Sequence, residues 1–138
     1  MTPGVFHLDA ALKLETQGQV LLGIGMATLI SAAGNTLIEV GDVDGVRVAG
    51  LLLDAGPEET KQLIKWGQEA ASDAGEKNAN GRAKAGADPT NPGVMSDIFV
   101  RVGGGDAEGS MKAEIAVEIF SDFVITDNIW LVSHHPRT

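Results

Sequence analysis

Three aspartates, Asp54, Asp122 and Asp127, are the side chains best suited by type and place to acid–base chemistry. Each stands beside a short apolar run, at a corner of the chain. Cleaving a glycosidic bond takes two carboxyls about 5–9.5 Å apart, flanking the bond. Neighbouring strands lie about 4.8 Å apart, so carboxylates at equivalent corners of adjacent strands can meet that spacing. The same residue type has a structural use at corners, where Asp tolerates the dihedrals and accepts bonds from nearby backbone N–H groups. The turn reading is the commoner of the two.

Other constellations are weaker. Asp42 and Asp44, in Gly41-Asp42-Val43-Asp44-Gly45, alternate like the start of a calcium loop, but the later ligands and the closing Glu are missing. Turn residues are the simpler reading, and no metal site is expected. His134 and His135 are adjacent. On a strand they point to opposite faces and cannot share one ion without distortion; an acid–base pair or a substrate contact stays open to them. Trp66 and Trp130 are the only indoles. Either can offer a flat face for a sugar ring, and packing is the competing use. Glu39, Glu114 and Glu118 alternate with apolar residues and read as a solvated face. Gly23-Ile24-Gly25 and Gly103-Gly104-Gly105-Asp106 lack the lysine of a phosphate loop and read as turns. No serine lies in a Gly-x-Ser-x-Gly context, so no Ser/His/Asp triad is suggested. No cofactor is expected.

The elements that must position these residues are short strands. Of 138 residues, 18 are Gly and none is Tyr, and the apolar content is mostly Val, Ile, Leu and Ala. Gly costs about 1 kcal/mol at each interior position of a helix, which argues against a bundle. Strand signals fall at Val5–Leu8, Leu12–Leu14, Val20–Leu22, Ala27–Ile30, Leu37–Val40, Val46–Val48, Leu51–Leu53, Ile98–Val102, Ala113–Ile119, Phe123–Ile125 and Ile129–Val132. Residues 58–66 fit a helix start after Pro57 and fit a strand equally. The net charge of −9 repels phosphate backbones and anionic membrane surfaces, so neither nucleic acid nor membrane is expected as a partner. There are no cysteines, which excludes disulfides and thiolate metal sites. No stretch reads as a signal peptide or a spanning helix.

Internal repetition separates hairpins from a solenoid. Leu37–Leu53 lies over Ala116–Leu131 as strand, Asp-containing corner, short strand, small-polar corner and apolar strand, with one residue of slippage at the first corner. Units of this kind, stacked, bury a continuous apolar column that one unit cannot bury alone. The expected architecture is all-β: a right-handed parallel β-helix forming one domain over residues 1–138. Its coils cover about 3–66 and 94–135 and are interrupted by a long excursion at about 67–93.

The pairing of Pro3-Gly4-Val5-Phe6-His7-Leu8 with Val20-Leu21-Leu22-Gly23-Ile24-Gly25-Met26-Ala27-Thr28-Leu29-Ile30 resembles the opening coils of bacterial pectate-lyase-like β-helix proteins. There a Pro-Gly-x-Tyr/Phe strand precedes a Val-Leu-Gly-x-Gly-x-Ala-Thr-Leu strand. Val40–Pro57 is similar to their next coil, and Ala87–Thr90, Asp97–Gly104 and Asp127–Leu131 match later landmarks. The group is similar to the β-helices of family 55 glucanases. The resemblance implies a carbohydrate-active module that binds or hydrolyses a polysaccharide such as a β-glucan, in proteins that are often secreted. It also implies a fragment or shortened member, because relatives carry more sequence on both sides. An uncapped coil end invites pairing with another copy, so a non-catalytic, self-associating module is the rival expectation.

Overall fold

The computed structural model describes residues 1–69, 88–103 and 112–133. The described residues form nine strands and no helix. These are β1 (Val5–Leu8), β2 (Leu12–Leu14), β3 (Val20–Ser31), β4 (Ile38–Val40), β5 (Arg47–Asp54), β6 (Thr60–Trp66), β7 (Gly93–Val102), β8 (Ala113–Ile119) and β9 (Val124–Ser133). Odd strands make one parallel sheet in the order β1-β3-β5-β7-β9, and even strands make a second in the order β2-β4-β6-β8. The chain thus alternates between sheets and advances one rung per circuit, which is the winding of a parallel β-helix. Within the ambiguous segment 58–66, Thr60–Trp66 resolves as strand: β6 pairs with both β4 and β8. The segment 67–92 joins β6 to β7; residues 70–87 lie outside those described, and Gly93 already belongs to β7.

The internal repeat is the stacking register. Ile38, Ile64 and Val117 align across β4, β6 and β8, as do Val40, Trp66 and Ile119. Leu51, Ile98 and Ile129 align across β5, β7 and β9, followed by Leu53, Val100 and Leu131. These are the same pairings that the sequence repeat makes.

Alternation explains what each column holds. Leu29, Leu53 and Val100 share an inward column and are fully buried, and the last member, Leu131 on the edge strand β9, is 55% exposed. Burying a side chain of this size stabilises by about 1.5–3 kcal/mol, so stability is concentrated in the middle rungs. On the outward side of the even sheet, Lys13, Glu39, Lys65 and Glu118 stack with alternating sign. Opposite charges on neighbouring strands favour this register over its neighbours.

Several expected strand breaks prove to be bends within continuous strands. Met26, Gly50, Asp97 and Asn128 each precede the aligned residues Ala27, Leu51, Ile98 and Ile129, and all have positive φ, between 51° and 70°. One left-handed residue re-phases the alternation: Val48 and Leu51 are both buried although three positions separate them. Gly50 has a second constraint, since a Cβ there would lie 2.5 Å from the Gly23 carbonyl oxygen. Asp and Asn tolerate this conformation better than most residues. Two of the four members of the bend column, Asp97 and Asn128, therefore carry polar side chains on the outside of the solenoid, while Met26 is apolar and Gly50 has none.

Candidate functional site

The bend column lies along a shallow depression of about 250 Å³ lined by Met26, Asp97, Ile98, Phe99, Asn128 and Trp130. Met26, Asp97 and Asn128 are three of its four column members. The fourth, Gly50, has no side chain, which leaves the rung between Met26 and Asp97 open. Phe99 and Trp130 come from the adjacent outward column, where Thr28, Leu52, Phe99 and Trp130 align. Aromatic residues on two neighbouring rungs make one apolar wall.

Trp130 is 63% exposed, yet its ring is tethered. Its Nε1–H donates to Asn128 Oδ1 at 3.0 Å, and Asn128 Nδ2 donates to Asp97 Oδ1 at 2.6 Å. An ionised carboxylate only accepts. Asp97 therefore turns the Asn128 amide so that its NH₂ faces the carboxylate and its oxygen faces the indole. An exposed indole held edge-on by a polar chain, beside an open notch, is suited to stacking on an apolar sugar face.

The remaining sequence candidates sit elsewhere. Asp54 ends β5 and is 4% exposed. Arg101 grips it from the neighbouring strand, with Nε–H on Oδ1 at 2.8 Å and Nη2–H on Oδ2 at 2.6 Å. The hydrogen bonds and charge of Asp54 push the Arg101 guanidinium above its usual value. Asp122 is exposed in the corner before β9, and Asp127 is exposed on β9. Asp127 aligns with Ser96 and Ala49, whereas the column of Asp54 reaches β9 at Val132. Five strand positions separate the two columns, roughly 16 Å along an unbent strand. The register thus does not bring Asp54 and Asp127 together.

Trp66 requires a correction as a sugar platform. It is 1% exposed and occupies the inward column of the even sheet. A Cβ at Gly93 would come within 2.7 Å of its Cζ2, so the absent side chain there makes room for the indole. His134 and His135 lie outside the described residues.

The Gly41–Gly45 corner also has an identifiable task. Asp42 Oδ1 accepts from the Gln68 N–H at 3.1 Å, and Asp44 Oδ1 accepts from the Asp88 N–H at 3.1 Å. Arg47 Nη1 donates to the Pro92 carbonyl at 2.7 Å. The corner thereby clasps the chain where it leaves the stack and where it returns. At the return, the Thr90 hydroxyl and then its backbone N–H hold the Asp88 carboxyl below its usual value. Among the described residues, no group of three or more His, Cys, Asp or Glu side chains is arranged to hold a metal ion.

Sequence reasoning missed Met26, Asp97, Phe99 and Asn128. The usable signal was the slip in alternation at Ser96-Asp97-Ile98 and Asp127-Asn128-Ile129, two polar bends at matching places in successive coils.

Comparison with known proteins agrees with this architecture. The family described as the LAM55 pectate lyase-like domain matches residues 1–136. An exo-β-1,3-glucanase of Streptomyces sp. (strain SirexAA-E / ActE) is 39% identical over 130 residues, covering 94% of this chain and 19% of that protein. Solved structures of sacteLam55A from Streptomyces sp. SirexAA-E superpose well. A variant in complex with glucose has a TM-score of 0.75 at 37% identity, and a second structure has 0.76 at 35%. Each comparison covers 95% of this chain and 21% of the other, so the chain spans about a fifth of the length of these relatives. Over nearly its whole length, the chain belongs to the LAM55 pectate lyase-like domain family.

Proposed function

We propose that this chain is a β-glucan-binding module that holds a sugar against Trp130. The observation that carries the reading is the exposed indole of Trp130, fixed through Asn128 at the rim of a depression lined also by Met26 and Phe99. The relative described as an exo-β-1,3-glucanase and the solved glucose complex support a β-1,3-glucan as the ligand class. Binding is favoured over hydrolysis by the state of the acidic candidates, because Asp54 is committed to Arg101 and its column stands apart from that of Asp127.

The test is titration of the chain with β-1,3-glucan oligosaccharides, followed by calorimetry and tryptophan emission. Saturable binding that Trp130→Ala abolishes, with the unfolding midpoint unchanged, is the expected outcome. Binding unaffected by Trp130→Ala removes the site. Reducing-sugar release that disappears in Asp122→Ala or Asp127→Ala turns the reading back to hydrolysis.

A further inference from the structure

Trp130 stands in an outward column of β9 and is 63% exposed, and an indole in water normally samples several rotamers. Ordering such a side chain on binding costs about 0.5–1.5 kcal/mol, and a ring already held in place avoids that loss. Two residues of the bend column hold it. Asn128 is the left-handed residue of β9, two positions before Trp130, and Asp97 is the left-handed residue directly beneath Asn128 in β7. The two bonds of the chain, at 2.6 Å and 3.0 Å, run from carboxylate to amide to indole. Gly50 occupies the same column place one rung further down with no side chain. The bend itself therefore needs no carboxylate.

We propose that Asp97 is the positioning residue of the Trp130 platform, setting the indole through Asn128 before sugar arrives. This rests on the sugar-binding reading above. Asp97 acts by accepting from the Asn128 amide, and its negative charge is secondary. An amide oxygen at the same place can also accept that bond, whereas a residue without a side chain cannot.

Two substitutions separate these contributions without straining the left-handed backbone. Asp97→Asn keeps an acceptor, and Asp97→Gly copies the Gly50 rung. The readouts are affinity for β-1,3-glucan oligosaccharides and the NMR signal of the Trp130 indole N–H, assigned by its loss in Trp130→Phe. In Asp97→Gly without sugar, the indole signal shifts and exchanges faster with water, and affinity falls roughly threefold to tenfold, the worth of one hydrogen bond. In Asp97→Asn, both stay near the parent values. If Asp97→Gly leaves signal and affinity unchanged, the positioning role is overturned. It is also overturned if Asp97→Asn weakens binding as much as Asp97→Gly, because the charge then meets the ligand directly. Full binding by Trp130→Ala is a separate outcome: it sinks the sugar-site reading while the indole signal still reports whether Asp97 sets the ring.

Discussion

Removing the two partners of the Asp54–Arg101 pair should have unequal costs. The Asp54 side chain is 5% exposed and that of Arg101 is 41% exposed. Arg101→Met keeps the aliphatic stem but leaves a buried carboxylate with neither of its two donors. Breaking a fully buried pair from one side costs about 3–5 kcal/mol. The open side of Arg101 lets some water reach the carboxylate once the guanidinium is gone, which lowers the expectation to about 2–4 kcal/mol. Asp54→Asn keeps shape and one acceptor and leaves a guanidinium that water already reaches; its cost is about 1 kcal/mol, closer to that of surface pairs. Urea unfolding of both variants and the double variant measures this, with unchanged m-values confirming that only stability moved. The double variant should cost less than Arg101→Met alone, because the stranded charge is gone. Equal costs for the two single variants, or a larger one for Asp54→Asn, refute the assignment of the buried member. The same Asp54→Asn protein should bind β-1,3-glucan oligosaccharides like the parent.

Further outcomes follow from the bends, the clasp and the charge ladder. Gly50→Ala should cost roughly 3 kcal/mol, because it combines left-handed strain with a Cβ 2.5 Å from the Gly23 oxygen. Gly18→Ala, at the same φ of 70° with nothing within 4 Å of the new atom, should cost about 1 kcal/mol by thermal unfolding. Asp42→Ala and Asp44→Ala should each lose about 1 kcal/mol and hasten protease nicking between β6 and β7, while amide-exchange protection of β5 is kept. Lys65→Glu places three acidic rungs in succession and should cost about 1 kcal/mol in dilute buffer, a loss that shrinks in about 1 M salt.

Much of the solenoid was legible in sequence because its register is set by columns that repeat. The pairing of Leu37–Leu53 with Ala116–Leu131 survives in sequence since Ile38 and Val117, Val40 and Ile119, and Leu53 and Leu131 each occupy one inward column. The site was less legible for a physical reason. Trp130 can be seen in sequence as an indole, but its exposure depends on standing in an outward column with Phe99. Trp66 stands instead on an inward column, and its own segment does not announce this: Gln62–Trp66 fits helix or strand equally well, so no alternation tells which way the indole faces. Asp97 and Asn128 lie 31 residues apart and become neighbours only through the β7–β9 register.

The bend column links fold and site. A left-handed residue in mid-strand has few acceptable side chains, and Gly, Asn and Asp lead among them. A solenoid that bends at the same place on each turn therefore favours small or polar residues in line at strand spacing, and three of the four here, Gly50, Asp97 and Asn128, are of that kind, with Met26 the exception. Where Gly stands, the line has a gap; where Asn and Asp stand, it has hydrogen-bonding groups facing outward beside the next outward column. That column carries Leu52, Phe99 and Trp130 because the strand beyond the bend resumes its alternation. An apolar ring fixed by polar neighbours, at an open notch, is what stacking on a sugar face requires. Replacing Asn128 by Asp tests this coupling of backbone and site: the bend is retained, but two facing carboxylates cannot share the bond that Asn128 donates to Asp97. Stability at neutral pH should fall by about 1 kcal/mol through like-charge repulsion, and the Trp130 indole should lose its fixed acceptor geometry. A variant with parent-like stability and an unmoved indole signal would show that the bend, without its side-chain chain, is enough to place the ring.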